Sequence, residues 1–510
     1  MKNWLFCSPR NSWRRRAAQP LPVGRSRTPV FELLELRAML SGNTYTPTDA
    51  NDDGTASTLR AAIVAANADP GTQADTIQLS SGTYMLTLGQ LQVTNTAHAL
   101  VINGQGSTGP NATVIDQLSL DRVLQIAAGT SVTLENVEIT GGTAGNNDAG
   151  SNAVEADGGG ILSDGSLTLN NVLVTGNKVV TTLAGDNAQG GGVYATGSLT
   201  IQSGSLIEGN SAVAAAGTSS NGGGIAYGGG VYSLSAGLVN ISNSTIADNA
   251  ALGGNSASSD NGGEAVGGGV FLSNSGTPAV MLNDDTITGN QVVGGTGGSG
   301  AAGGLAWGGG VADYFGNGIT GAPLSITNST LSYNIVQGGA GGSGGAGGAA
   351  YGGATDIFTG GSQLTNDTVY GNSATGGAGT TAGSAVGGGI VDDTGVDSVP
   401  GMSIVNVTVA FNVAQAGTGG IAGVGYGGGV INDSGDASLV VSNSLVAENT
   451  ADSGPDVYGA AATTDHNRIG IYDGTVASGF SAVDGDQLGT SGLPINPQLG
   501  PLQNNGGNTA

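Results

Sequence analysis

Eight copies of one short pattern run through the middle of this chain, and they limit what it can fold into. Each opens on Gly-Gly-Gly (once Gly-Gly-Ala), at Gly158, Gly190, Gly228, Gly267, Gly308, Gly352, Gly387 and Gly427. Each closes on an asparagine: Asn177, Asn210, Asn249, Asn290, Asn334, Asn372, Asn412 and Asn449. The closing residues step by 33, 39, 41, 44, 38, 40 and 37 positions. A sustained period in this range marks a solenoid. Between opening and closing lie short apolar-alternating runs with no 3.6-residue period, so the units are strands rather than helices.

The copy from Gly228 to Asn249 reads as three strands: Val231–Leu234, Leu238–Ser242 and Thr245–Ala247. None is long enough to bury its own apolar face, and stacking copies about 4.8 Å apart pairs every strand with its equivalent. The expected fold is all-β: a right-handed single-stranded parallel β-helix of ten or eleven coils and about 50 Å, with a narrow Val, Ile and Leu core. A second asparagine column, Asn171, Asn243, Asn328, Asn366, Asn406 and Asn443, stands six residues before the closing one, with Asp284 and Gly204 in the same place in two copies. Asparagine accepts left-handed turns and bonds its own kind in the next coil, so this column reads as a structural ladder. The glycine-rich stretches between copies, such as Gly294–Gly304 and Gly338–Gly348, offer no side chains for a core and are expected to protrude as flexible loops along one face.

Of 510 residues, 98 are glycine, and the phased apolar positions assign them to turns and loops of an ordered solenoid. Cys7 is the sole cysteine, which excludes a disulfide scaffold. No apolar run is long enough for a transmembrane helix. Eight of the twelve Lys and Arg lie in residues 1–37, whereas the rest of the chain holds Arg60, Arg122, Lys178 and Arg468 against 35 Asp and Glu. So acidic a body is unsuited to nucleic acid or anionic membranes.

Domain boundaries follow. Residues 1–42 are expected to be a basic export leader, disordered and without an ordinary signal peptide, and 43–75 a cap with a helix at 57–67. Ser57 is the expected N-cap, with Leu59, Ala62, Ile63 and Ala66 on one face and Pro70-Gly71 as the stop. Residues 76–475 form the β-helix, and 476–510 an incomplete C-terminal segment.

Three of these regions carry resemblances. Phe31-Glu32-Leu33-Leu34-Glu35-Leu36-Arg37-Ala38-Met39-Leu40 resembles the planctomycete extracellular leader with its Leu-Glu-Pro-Arg-x-Leu-Leu core; Leu36 replaces the usual Pro and Met39 a Leu. Ser57-Thr58-Leu59-Arg60-Ala61-Ala62-Ile63 looks like the S-L-R-E-A-I opening of bacterial right-handed β-helix surface proteins, with Ala61 where that family has Glu or Gln. Asp465–Gly470, Gly485–Thr490 and Asn496–Gly507 resemble the choice-of-anchor Q domain, which usually runs on to a Ser-Pro-Ala-Ile-Asp segment and an exchangeable anchor not found here before Ala510. The resemblances imply a bacterial surface or secreted β-helix protein, and no substrate.

Other motifs are weaker. Gly104–Gly109 fits G-x-G-x-x-G, but Pro110 and the strand-like Ala112–Ile115 stand where a nucleotide site needs a helix. Gly341–Gly345 fits G-x-S-x-G inside a Gly-Ala loop with no strand-to-helix elbow. His98 and His466 lie at opposite ends, which excludes a two-histidine zinc site.

Two sets of residues remain as binding candidates. Tyr227, Trp307, Tyr351 and Tyr426 immediately precede a glycine triplet and should stack on one edge, as packing or as sugar-stacking platforms. In the last two triplet-led coils Asp392 stacks on Asn432 and Asp393 on Asp433, putting two carboxylates about 5 Å apart. Asp392, Asp393 and Asp433 are therefore candidates for a weak Ca²⁺ site, the one cofactor considered, or for a glycosidase-type pair.

The favoured function is non-catalytic: an exported acidic β-helix, monomeric, acting in adhesion or envelope structure, with a surface polysaccharide or another cell-surface component as partner. The alternative is a polysaccharide lyase or glycosidase of the pectate-lyase-like fold. Against it, Lys178 is the only basic residue between Arg122 and Arg468, and polygalacturonase-type His-Gly and Arg-x-Lys pairs are missing. A third reading is a calcium-stabilised spacer.

Overall fold

The computed structural model describes residues 42–145, 155–218, 221–235, 237–273, 279–314, 322–394, 401–434, 438–503 and 509. The leader therefore lies outside the described residues, apart from Gly42.

The fold is a right-handed parallel β-helix. Each full coil has five strands, shown by the Gly228 copy: Val231–Ser233, Val239–Ser242, Thr245–Ala247, Ala250–Leu252 and Ala265–Val266. Every one pairs in parallel, in register, with its equivalent in the next coil. The sheet containing Thr245–Ala247 stacks thirteen strands from Gly82–Leu86 to Gln487–Leu488, or about 60 Å at the usual spacing. The stack is longer than expected because strands without a glycine triplet flank the eight copies: Gly82–Leu86, Thr113–Gln117 and Glu138–Thr140 before them, Arg468–Ile469 and Gln487–Leu488 after them. The helix is Leu59–Ala68, capped by Thr58 rather than Ser57; Thr58 Oγ1 accepts from Ala61 N at 3.2 Å. Its expected face of Leu59, Ala62, Ile63 and Ala66 is buried and joins the end of the main core.

The first three strands of each coil enclose the tube of Val, Ile and Leu. The last two strands, unresolved in the sequence reading, form an arm against a second core lined mostly by alanine, including Ala212, Ala226, Ala251, Ala265, Ala306, Ala350 and Ala385. The closing asparagine and the triplet meet at the neck between tube and arm. A Cβ on Gly230 would lie 2.9 Å from Asn249 Cγ, which explains why the two recur together.

The continuous ladder is this closing column, not the one expected. Asn290 Nδ2 donates to Asn334 Oδ1 (2.9 Å) and Ile246 O (2.9 Å), and the pattern repeats from Asn177 to Asn449, which donates to Asp456 Oδ1 (2.9 Å). These side chains are buried at the neck, where an amide must find partners. The expected column, Asn171, Asn243, Asn328, Asn366, Asn406 and Asn443, supplies left-handed corners with φ of 48–60°. Its side-chain bonds lie on the outside of the coil, such as Asn366 to Asn328 (3.2 Å) and Asn406 to Asn366 (3.1 Å). In the second copy Ser203 takes that corner (φ 61°) and Gly204 is an extra residue.

The glycine-rich stretches also differ from expectation: they are stacked, not loose. Gly294, Gly297, Gly300 and Gly303 donate to Gln337, Ala340, Ser343 and Ala346 of the next coil, at 2.8–2.9 Å. A bond at every third residue is the period of a polyproline-II-type chain. Outgoing and returning limbs also interleave, with Gly295 N to Gly263 O, Gly304 N to Gly295 O, Gly339 N to Gly304 O and Gly348 N to Gly339 O, each 2.8 Å. A Cβ on Gly295 would sit 1.9 Å from Gly254 O, so only glycine permits the approach. Across the arm, side chains shrink from valine to alanine to none, and backbone bonding takes over from apolar packing.

Candidate functional site

The first glycine of each triplet folds the chain into a sharp corner between arm and tube, with φ between 59° and 70° in all eight copies. A Cβ on Gly228 would meet Val231 O at 2.4 Å and Tyr232 Cβ at 2.8 Å, so the corner closes on its outer side. There the residue before the triplet faces the second residue after it, giving a strip outside the core that runs along the solenoid axis.

The candidate aromatics all stand in this strip, each partly buried. The Tyr227 ring lies 5.8 Å from Tyr232 and 5.2 Å from Phe271, both stacked. Trp307 lies 6.2 Å from Tyr314 and 6.2 Å from Tyr351, and Tyr426 lies 5.2 Å from Tyr458. Valines 266 and 386 fill the places between them.

Along the second wall the apolar series Leu162, Tyr194, Tyr232, Phe271 and Ala312 is broken once, at Asp356, before resuming with Val391 and Ile431. Asp356 is fully buried, and among the described residues neither carboxylate oxygen has a hydrogen-bond partner. Burial first, then the charges of Asp393, Asp433 and Asp313, pushes its carboxyl well above the usual range. Asp393 is half-buried and is raised to about 7 by burial, then by Asp433 and Asp392. Asp433 lies on the exposed rim, and partial desolvation raises it too. The Tyr351 phenol is raised by burial and then by Asp433, Asp356 and Asp393, so all four groups share one field.

The expected register holds: Asp392 pairs with Asn432, and Asp433 N donates to Asp392 O at 2.9 Å. Asp392 itself is separated from the other two acids. Strand alternation turns it to the core side, where Thr394 Oγ1 donates to its Oδ1 at 2.7 Å. It stacks in a buried column with Asp313, Ile357 and Asn432. The candidate metal set is thus split across the sheet. Among the described residues the corner acids do not converge as three metal-ligand atoms within 4.8 Å.

Asp356 is the member that sequence reasoning missed. Its signal was the one atypical copy, Gly352-Gly353-Ala354-Thr355-Asp356, where the others follow the triplet with two apolar residues. A second aromatic row was also missed: Tyr333, Tyr370 and Phe411, with ring centroids 5.7 and 5.2 Å apart. Tyr333 and Phe411 hold φ of 55° and 58° at a corner where other copies use Gly176, Gly209, Gly289 and Gly371.

No family model matches the chain, and no curated protein matches it. Solved structures similar to the chain include the following two. The Escherichia coli protein ybhc shares 14% identity over 62% of this chain and 75% of its own, with a TM-score of 0.28. A mutant of DFA-IIIase from Arthrobacter chlorophenolicus, in complex with DFA-III, shares 14% identity over 86% of this chain and 99% of its own, with a TM-score of 0.32. Likeness at this level carries no argument about activity.

Proposed function

We propose that this protein is an exported, non-catalytic β-helix that holds a neutral polysaccharide along its aromatic corner, in an adhesive or envelope-structural role. The observation that carries the proposal is the group of Tyr351, Asp393 and Asp433 around the buried, unpartnered Asp356, set in a strip of aromatic rings. Rings offer stacking faces to sugar C–H groups, and carboxylates accept from sugar hydroxyls. Three acids and no Lys or Arg between residues 178 and 468 disfavour uronates and sulfated chains. Export and the bacterial surface rest on the leader resemblance; a monomer rests on the repeat architecture.

Affinity electrophoresis of the purified protein in gels containing neutral or uronate-rich polysaccharides tests this. Retardation by a neutral polymer, lost in Tyr351→Ala, is the expected result; retardation by uronate polymers alone would refute it. One observation favours a hydrolytic second reading: Asp393 is raised to about 7 beside the more exposed Asp433, an asymmetry suited to an acid and its partner. Release of reducing ends that vanishes in Asp393→Asn would establish that reading instead.

A further inference from the structure

The N-terminal end of the solenoid holds a separate group of ligating side chains. Asp69 caps the C-terminus of the helix, Asp75 opens the strand Asp75–Gln78, and His98 lies just before the strand Leu100–Asn103, which pairs with it. His98 Nε2 is 3.5 Å from Asp69 Oδ2 and 3.7 Å from Asp75 Oδ2, and the three atoms all lie within 4.8 Å of one another. The side chains of His98 and Asp75 are 1% and 0% exposed.

The proton inventory at Nε2 is unusual. His98 Nδ1 lies 3.1 Å from Ala99 O, and a carbonyl can only accept, so Nδ1 carries a hydrogen and Nε2 offers a lone pair in the neutral ring. Asn95 Nδ2 is 2.9 Å from Nε2 and also faces Ala66 O (2.9 Å) and Asp69 O (2.8 Å), so its two hydrogens are shared among three acceptors. The amide is not reversed, because Asn95 Oδ1 accepts from Ala97 N at 2.8 Å. Neither carboxylate is within hydrogen-bond reach of Nε2. The buried Nε2 thus holds at most a shared hydrogen bond from Asn95 and faces two carboxylate oxygens at 3.5 and 3.7 Å.

We propose that Asp69, Asp75 and His98 bind a divalent transition-metal ion of the Zn²⁺ class, with solvent completing the coordination. Ligand atoms held about 2.0–2.1 Å from such an ion lie roughly 3.4 Å from one another in tetrahedral geometry, close to the spacings present. Two carboxylates offset the charge of the ion. The Nδ1–H bond to a backbone carbonyl orients the ring in the manner of an outer-shell contact in metal sites. The nitrogen ligand favours Zn²⁺ over Ca²⁺, which takes an all-oxygen shell. The three ligands come from the C-cap of the helix, the strand Asp75–Gln78 and the loop leading into Leu100–Asn103, so the ion would clip the cap to the solenoid.

The test uses full-length protein stripped with chelator, desalted, and titrated with Zn²⁺ alone or Ca²⁺ alone. Metal content and thermal midpoint are the readouts, and Co²⁺ absorption reports the geometry. One equivalent of Zn²⁺ retained through desalting and a raised midpoint are expected, with a tetrahedral Co²⁺ band. Asp69→Asn is the mild variant, because among the described residues its carboxylate makes no hydrogen bond. It should fold as the parent does, weaken Zn²⁺ at least tenfold and lose the Co²⁺ band; His98→Gln should do the same. Zinc not retained by the parent, zinc held equally by both variants, or Ca²⁺ bound as tightly through the same residues would each overturn the proposal.

Discussion

Replacing Asp356 by asparagine should flatten part of the dependence of stability on pH. In the unfolded chain the carboxyl titrates near 3.9, whereas in the fold it is buried, unpartnered and raised well above that by desolvation and then by Asp393 and Asp433. Between the two values the folded protein keeps the proton and the unfolded chain has lost it. Stability contributed by this group is therefore complete below the unfolded pKa and falls as pH rises toward the folded one. The slope is about 1.4 kcal/mol per pH unit for one proton. Asp356→Asn removes that proton without changing the size of the side chain. Urea unfolding followed by circular dichroism at pH 4.5 and 5.5 gives the comparison. The variant should gain about 1.4 kcal/mol relative to the parent across that unit. The parent keeps a residual slope from Asp285, Asp313, Asp367 and Asp393, each raised to about 7 chiefly by burial, and from Asp456, raised to about 6 by burial, and the variant should share it. Parallel stability profiles for the two proteins would refute the reasoning, since they would mean that Asp356 is ionised in the fold or paired.

Two further substitutions probe the repeat. A Cβ on Gly339 would lie 2.0 Å from Gly295 O, while one on Gly344, at the hairpin tip, would have Gly300 Cα at 3.9 Å as its nearest neighbour. Gly339→Ala should expose the glycine amides of 294–304 and 338–348 to hydrogen exchange; Gly344→Ala should cost about 1 kcal/mol for its left-handed backbone and leave the protection intact. Asn290→Ala strips partners from Ile246 O and Asn249 N at a fully buried neck and should cost roughly 2–6 kcal/mol in a denaturation experiment, against about 1 kcal/mol for Asn366→Ala on the outer column.

The phase of the solenoid was legible because one residue type recurred at each special place: a glycine at the corner, an asparagine at the neck. The role of each asparagine column was not, since turn preference and amide stacking leave the same mark in sequence. Burial separates them: Asn290 is enclosed at the neck, whereas Asn366 lies at an outer corner. The arm was misread for a related reason. Alanine and glycine carry no apolar signal, and the stacking of Gly295 on Gly254 depends on the absence of a side chain. At the candidate site, the register of Asp393 on Asp433 followed from the period alone. The facing of Asp392 required strand alternation around the bend, and Asp356 required seeing that one copy departs from an apolar column.

The claim that the corner holds neutral sugar is tested most directly at Trp307, which lies within it beside Tyr314 and Tyr351. With Trp4 and Trp13 replaced by phenylalanine, the remaining tryptophan emission reports on the corner alone. Titration with neutral oligosaccharides should give a saturable change in that emission, lost in Tyr351→Ala and absent with uronate oligomers. Emission unmoved by every neutral oligosaccharide, or moved equally in Tyr351→Ala, would contradict the account.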